Sequence, residues 1–274
     1  MKHTKLTTAV MALAAAAVLA TSARAADTFY SSGDLLLGFE LSGNANNYLV
    51  DLGQASQFVN ASSPLQFSLS TADLSSIFGS SWASNSATSL VQWGVVGNDQ
   101  SAAVQASPAT IWYTKGEVTA GTLTTPPIRG TVSALNSVSS TIQNLETGLG
   151  GYDGNVSTAN STHAVIQSSS ADNSWSSFSP GTGTAFGIGT SVEQPLTGSA
   201  TGPTNSVLDL FQVSPKTASN QPATLLGEFS LGSGGVLTFT PAQSVPEPAS
   251  YALGITAILL FVVLKRRNSL SSAV

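Results

Sequence analysis

Short apolar and aromatic runs alternate along the chain with Gly, Asn and Ser, which is the pattern of strands joined by turns. Two of these runs, GDLLLGFEL and NYLVDL, flank SGNAN, which has the turn chemistry of a hairpin. Two others flank Gly232-Ser233-Gly234, which predicts a second hairpin. Together the runs predict an antiparallel sheet, and they span residues 33–41, 47–52, 90–97, 109–115, 206–214, 223–231 and 235–240.

Two segments have helical periodicity instead. Within residues 69–82, Ser70 followed by Asp73 resembles a helix N-cap, and Gly79 predicts the end of a helix of one or two turns. From 131 to 147 apolar residues recur every three or four positions, and glycines follow. This second pattern predicts a longer helix.

Residues 150–205 carry isolated apolar side chains in a Ser, Thr and Gly background, which predicts loops with a short helix near 163–166. No fixed period repeats along the chain, which argues against a solenoid or a propeller. Many short strands, glycine-rich turns and one or two short helices predict a mainly β domain over residues 26–243, folded as an antiparallel β-sandwich or jelly-roll-like domain.

The first 25 residues predict a signal peptide. Lys2 and Lys5 precede an apolar run rich in alanine, and the segment ends in a small-x-small cleavage site at Ala23 and Ala25. Cleavage after Ala25 leaves Ala26 as the new N-terminus. The expected partners are therefore the export translocon and signal peptidase.

Charge and cysteine content exclude several classes of function. Between residues 26 and 243 three basic residues stand against thirteen acidic ones, a formal charge of −10. Such a surface repels phosphate backbones, which excludes nucleic acid as a partner. The chain has no cysteine, so disulfides, thiolate nucleophiles and cysteine-ligated zinc or iron are excluded as well.

The sequence indicates no catalytic residue. His163 is the one histidine of the predicted exported part, and no G-x-S-x-G motif accompanies it, so a Ser-His-Asp arrangement is not indicated. Glycoside hydrolysis requires two carboxylates, and which acids meet depends on the order of the strands. Six acids lie in or beside predicted strands: Glu40, Asp51, Asp99, Glu117, Asp209 and Glu228.

No cofactor is predicted and no metal ligand is assigned, with calcium as the alternative. Asp153 and Asn155 flank a glycine in GGYDGNVS and offer oxygen ligands on a flexible backbone. The segment lacks the D-x-[DN]-x-[DN]-G run of a calcium loop, so an Asp-Gly turn is the favoured interpretation.

Four tryptophans offer surface for stacking on sugar rings. Trp93 and Trp112 lie in predicted strands, where we expect them to pack in the core. Trp82 and Trp175 lie in polar stretches and are the better candidates for exposure, although packing in the core is favoured for most of the four. Trp82 and Trp175 are therefore the candidate glycan contacts.

The C-terminal segment, residues 244–268, differs from everything before it. Its uncharged part, residues 249–264, would span about 24 Å as a helix, against a hydrocarbon core of about 30 Å. Lys265, Arg266 and Arg267 follow directly, which is a stop-transfer arrangement. A single transmembrane helix with a cytoplasmic basic tail is predicted.

Val245, Pro246, Glu247 and Pro248, followed by this helix and its basic cluster, resemble the PEP-CTERM sorting signal of exported bacterial proteins. The resemblance implies export across the inner membrane, transient retention there, and processing by an exosortase-like membrane protease that recognises the four motif residues. It also implies a final location at the cell surface or in the extracellular matrix of a Gram-negative bacterium, where exopolysaccharide is a further candidate partner.

These features predict an exported, C-terminally sorted protein of the cell surface or exopolysaccharide matrix, without catalytic activity. Two alternatives stay open. The tryptophans suggest a carbohydrate-binding module, and the strand-associated acids suggest a polysaccharide-active enzyme.

Overall fold

The computed structural model describes residues 33–83, 91–99, 109–117, 121–150, 164–178, 188, 191–196 and 203–242. The chain divides into two compact units, Met1–Pro241 and Ala242–Val274, and every element below lies in the first. The predicted signal peptide, with Ala23, Ala25 and Ala26, and the sorting signal at 244–268 lie outside the described residues. In the described part of the chain, no helix is long and apolar enough to cross a bilayer.

Strands dominate the described residues, as predicted. The ten strands are β1 Asp34–Glu40, β2 Asn46–Gln54, β3 Leu65–Ser68, β4 Gln92–Asn98, β5 Ile111–Gly116, β6 Ala164–Ser168, β7 Glu193–Pro195, β8 Pro203–Val213, β9 Thr224–Gly232 and β10 Val236–Pro241. The four helices are α1 Ala55–Val59, α2 Thr71–Phe78, α3 Val132–Gly150 and α4 Trp175–Phe178.

All ten strands belong to one antiparallel sheet. Its order is β3-β10-β9-β8-β5-β4-β1-β2-β6, and β7 pairs with β4 beside β5. The predicted β1–β2 and β9–β10 hairpins are confirmed. The structure therefore has one continuous hydrogen-bonded sheet instead of the two separate sheets of a sandwich.

The sheet is strongly curved. Helix α1 begins directly after β2, yet its Phe58 ring lies 5.7 Å from Phe229 of β9 and 5.1 Å from Phe239 of β10, measured between ring centroids. Five strand intervals separate β2 from β9, which is about 24 Å in a flat sheet. A helix of five residues covers only about 7.5 Å. The sheet must therefore bend around α1 and bring its two halves together.

Each face of the sheet buries its own apolar cluster. On the concave side Leu35, Leu37 and Phe39 of β1 pack with α1 and α2. On the opposite side Leu36 packs with the apolar stripe of α3. All seven residues of β1 are buried, which explains why LLLGF at its centre has no polar alternation. Both clusters lie within residues 33–242, so we expect the domain at 26–243 to fold without the C-terminal segment.

The helix predictions are confirmed at two places and wrong at a third. The Ser70 side chain accepts a hydrogen bond from the Asp73 backbone N–H at the start of α2, and Gly79 ends that helix. Helix α3 matches the pattern at 131–147. The helix expected near 163–166 is instead strand β6, because its backbone pairs with β2.

A tight contact fixes α4 on the sheet. The Trp175 ring lies directly on Gly38, where an added Cβ would stand 2.0 Å from the ring atom Cδ2. The indole Nε1–H donates to Glu193 Oε1 at 2.6 Å, and the Trp175 backbone N–H donates to Gln167 Oε1 at 2.9 Å. The ring is therefore held from three sides.

Candidate metal centre

Three of the six strand-associated acids meet in the structure. Carboxylate oxygens of Glu117, Asp209 and Glu228 all lie within 4.8 Å of one another. Asp209 of β8 and Glu228 of β9 are direct cross-strand partners. Glu117 follows β5, and its backbone N–H donates to Val207 O of β8 at 2.9 Å. Strand pairing therefore assembles the cluster from three adjacent strands.

Two of these carboxylates are withdrawn from solvent. Glu117 is 1 % exposed and Asp209 is 0 % exposed, whereas Glu228 is half-buried. Glu117 Oε2 accepts hydrogen bonds from the backbone N–H groups of Gly121 at 2.6 Å and Thr122 at 3.2 Å. Among the three acids, Glu228 is therefore the one that solvent reaches most easily.

The second oxygen of each buried carboxylate accepts no hydrogen bond from outside the cluster, and a hydrogen bond between the Glu117 and Asp209 side chains helps to raise the pKa of Glu117. Asp209 Oδ2 accepts from the Thr124 backbone N–H at 2.6 Å, but Asp209 Oδ1 and Glu117 Oε1 are buried without such a donor. Lys115 is the cross-strand neighbour of Asp209, yet its Nζ donates to Thr125 O at 3.1 Å. Among the described residues no basic side chain forms an ion pair with the cluster, so its negative charge is uncompensated.

Burial and mutual repulsion act on the acidity of this cluster. Burial raises the pKa of Glu117 above its ordinary value, and the charges of Asp209 and Glu228 raise it further. The hydrogen bond from the Gly121 N–H opposes this rise in pKa. The site therefore favours a positive ligand, which is either a proton or a metal ion.

Two more oxygens that are buried without a partner belong to residues that hydrogen-bond the cluster residues. Thr124 Oγ1 belongs to the residue whose backbone N–H donates to Asp209. Gln194 of β7 donates from its amide Nε2 to Glu117 O, and its Oε1 is buried without a partner. An added Cβ at Gly116 would stand 2.6 Å from this Oε1, which places the Gln194 amide against the backbone preceding Glu117. The candidate metal ligands are therefore all oxygen atoms, which are the ligands that calcium and magnesium prefer.

Hydrolysis of a glycoside fits this geometry poorly. Paired carboxylates of glycosidases flank a sugar, so both must be reachable from solvent. Glu117 and Asp209 expose almost no surface, and each already binds backbone N–H groups. The arrangement suits a small cation better than a sugar ring.

The other three acids have different partners. Burial raises the pKa of Glu40, and a hydrogen bond with Ser176 opposes that rise. Asp51 Oδ1 accepts from the Gly53 N–H at 2.7 Å, and Asp99 Oδ1 accepts from the Thr110 N–H at 2.7 Å. These acids do not belong to the three-carboxylate cluster.

The two tryptophans that were the candidates for exposure are both buried. Trp82 is 5 % exposed and packs in the apolar cluster on the concave side of the sheet. Trp175, the first residue of α4, is 0 % exposed. Both lie in polar stretches of sequence but supply the apolar contacts that anchor those stretches. Neither ring offers a face for a sugar. Trp93 and Trp112 are buried as predicted.

Some candidate residues lie outside the described part of the chain: His163, Asp153, Asn155, the sorting residues Val245, Pro246, Glu247 and Pro248, and the basic cluster Lys265, Arg266 and Arg267. Thr124 and Gln194 were not predicted, and no motif marks either one. Comparisons with family models, with curated proteins and with solved structures gave no match. Function is therefore argued from the chemistry of the described residues.

Proposed function

We propose that this protein is an exported, non-catalytic protein of the cell surface or extracellular matrix whose β domain binds a calcium ion through Glu117, Asp209 and Glu228. The observation that supports cation binding is the presence, on two of the three carboxylates, of buried oxygens that accept no hydrogen bond from outside the cluster. A buried charge without a partner costs several kcal/mol. A bound cation removes that cost.

Calcium matches the donor set better than other common metals. Zinc in proteins prefers nitrogen and sulfur ligands, and magnesium usually keeps several of its waters. Calcium takes six to eight oxygens in irregular arrangements, including carboxylates and neutral oxygens. The cluster offers three carboxylates with neutral oxygens beside it, and its half-buried side at Glu228 leaves room for water.

Calcium binding is tested by isothermal titration of residues 26–243 with CaCl2 after treatment with EDTA. We expect one site, with a dissociation constant between about 1 μM and 1 mM, the range of sensor and extracellular calcium sites. Glu228→Gln removes one charged ligand at the half-buried edge, where the fold tolerates the change, and should weaken binding about tenfold.

The matched control for that titration is Asp172→Asn, which removes an exposed carboxylate away from the cluster. It should bind calcium like the wild type. Absence of calcium binding by the wild type at millimolar concentration, or equal binding by the Glu228→Gln variant, would contradict the proposed site.

The export and sorting part of the proposal is supported by sequence. The signal-peptide pattern at residues 1–25 and the VPEP motif with its uncharged and basic segments occur in the order that sorting requires. Pro246 and Pro248 disfavour helix and hold the intervening Glu247 in an extended conformation, which is the shape that proteases bind. The translocon, signal peptidase and an exosortase-like protease are the partners that this proposal requires.

Sorting is tested by fractionating cells of an exosortase-containing host that produce the tagged full chain. Wild type should appear as a shortened, released form, and Glu247→Ala should remain at full length in the membrane fraction. Equal processing and release of both chains would refute the sorting role, whereas the calcium site would be unaffected.

A further inference from the structure

We infer that calcium bound at the three carboxylates also fastens the segment 121–130, called the strap, to the sheet, with the Thr124 hydroxyl as a further ligand. This inference rests on the proposed calcium site. It adds a ligand outside the three acids, and it assigns the ion a conformational effect.

The first half of the strap is attached through the carboxylate cluster. The backbone N–H groups of Gly121 and Thr122 donate to Glu117, and the N–H of Thr124 donates to Asp209. Leu123 is 61 % exposed, so its side chain adds little apolar anchoring. Lys115 Nζ also donates to Thr125 O, so the two carboxylates and this one lysine hold the first half.

The second half of the strap is attached independently of the cluster. Ile128 forms an isolated antiparallel bridge with Pro222, and the Ala223 N–H donates to Pro127 O at 2.8 Å. The Arg129 backbone N–H donates to Gln221 O at 2.8 Å, and its Nε donates to Pro222 O at 2.9 Å. Residues 127–130 are therefore attached to residues 221–223, whereas the backbone N–H groups of residues 121–124 bind the acids of the cluster.

Thr124 has the geometry of an additional ligand. Its backbone N–H lies 2.6 Å from Asp209 Oδ2, and its hydroxyl oxygen, three bonds from that nitrogen, is buried with no hydrogen-bond partner. A buried hydroxyl without a partner is costly, so an ion within reach satisfies it. Because calcium accepts neutral oxygen ligands, the hydroxyl can join the carboxylates.

Two effects then couple the ion to the strap. Without the ion, like charges on Glu117, Asp209 and Glu228 repel one another, and this repulsion disturbs the hydrogen bonds that hold residues 121–124. With the ion, the carboxylates are drawn together and Thr124 is bound directly. Bound calcium therefore lowers the population of conformations in which the strap is detached from the cluster.

Amide hydrogen exchange measures opening of the first half of the strap. We expect 2 mM CaCl2 to slow exchange of the Gly121, Thr122 and Thr124 amides by about tenfold or more relative to EDTA, because their N–H groups bind the carboxylates and exchange follows the population of the opened state. The amides of Arg129 and Ala223 bind acceptors outside the cluster, so they serve as the internal control and should exchange at the same rate in both conditions.

The variants Thr124→Val and Thr124→Ser form the matched pair. Valine keeps the shape but removes the hydroxyl, and it should weaken calcium binding in titration about tenfold and reduce the calcium-dependent protection of the amides at 121–124. Serine keeps the hydroxyl and should behave like the wild type. Because the Thr124 backbone N–H remains in both variants, the hydrogen bond to Asp209 is retained.

The outcomes separate this inference from the site on which it rests. Calcium binding by the wild type with unchanged hydrogen exchange at residues 121–124, or equal calcium affinity in Thr124→Val, would overturn the strap inference and leave the three-carboxylate site standing. Failure of the wild type to bind calcium would overturn both.

Discussion

Gly38→Ala is expected to destabilise the domain by at least about 3 kcal/mol, a large fraction of the stability of a typical domain. The new methyl group would stand 2.0 to 2.3 Å from three ring atoms of Trp175. The ring cannot move aside without breaking its hydrogen bonds to Glu193 and Gln167. Urea denaturation followed by circular dichroism measures the loss, and the variant should unfold at a lower urea concentration than the wild type.

The control for this substitution is Gly234→Ala, whose added Cβ meets no atom within 4 Å. Its unfolding free energy should stay within about 0.5 kcal/mol of the wild type. The double variant Gly38→Ala/Trp175→Leu removes the obstructing ring and should lose less than the sum of its two single changes. A Gly38→Ala protein as stable as the wild type would show that Trp175 does not lie on β1 as described.

Asp209→Asn is expected to raise the free energy of unfolding relative to the wild type in EDTA and to lower it relative to the wild type in calcium. In EDTA the variant should be more stable than the wild type, because one of three repelling charges is gone. The Asn carbonyl can still accept from the Thr124 N–H, and its amide can donate to the buried Glu117 Oε1. In calcium at 100 times the dissociation constant, the wild type should gain about 2.7 kcal/mol that the variant lacks.

Urea denaturation of both proteins in EDTA and in CaCl2 measures this reversal. Asp172→Asn again serves as the control and should gain as much from calcium as the wild type does. A calcium gain in Asp209→Asn equal to that of the wild type would contradict the assignment of Asp209 as a ligand.

Local features of the fold were predictable from sequence, and distant pairings were not. The turns that join β1 to β2 and β9 to β10 carry their own signals, as does the Ser70 cap of α2. Strand β6 was predicted as helix because a short apolar run such as AVIQ has no decisive period. Its strand conformation is decided by pairing with β2, which lies more than a hundred residues earlier in the chain.

The metal centre illustrates the same limit. Glu117, Asp209 and Glu228 were all recognised as strand-associated acids, but each is unremarkable by itself. Their meeting depends on the β5–β8 and β8–β9 registers, and the connection of ten residues between β8 and β9 is too long to fix a register as a two-residue turn does. The buried Trp175 was misjudged for a related reason, since the glycine that makes room for its ring lies on β1.

The pairing of β3 with β10 has a consequence for the order in which the domain is completed. Within the described sheet β3 has no other partner, and Phe67 pairs with Leu237, about 170 residues later. A chain delivered from its N-terminus therefore cannot close the sheet until its last strand has arrived. Strand β10 ends at Pro241, only a few residues before Val245. If the chain is exported as proposed, the sheet would therefore stay incomplete during translocation. The last strand would pair only when the C-terminal segment, which is proposed to stop translocation, reaches the membrane.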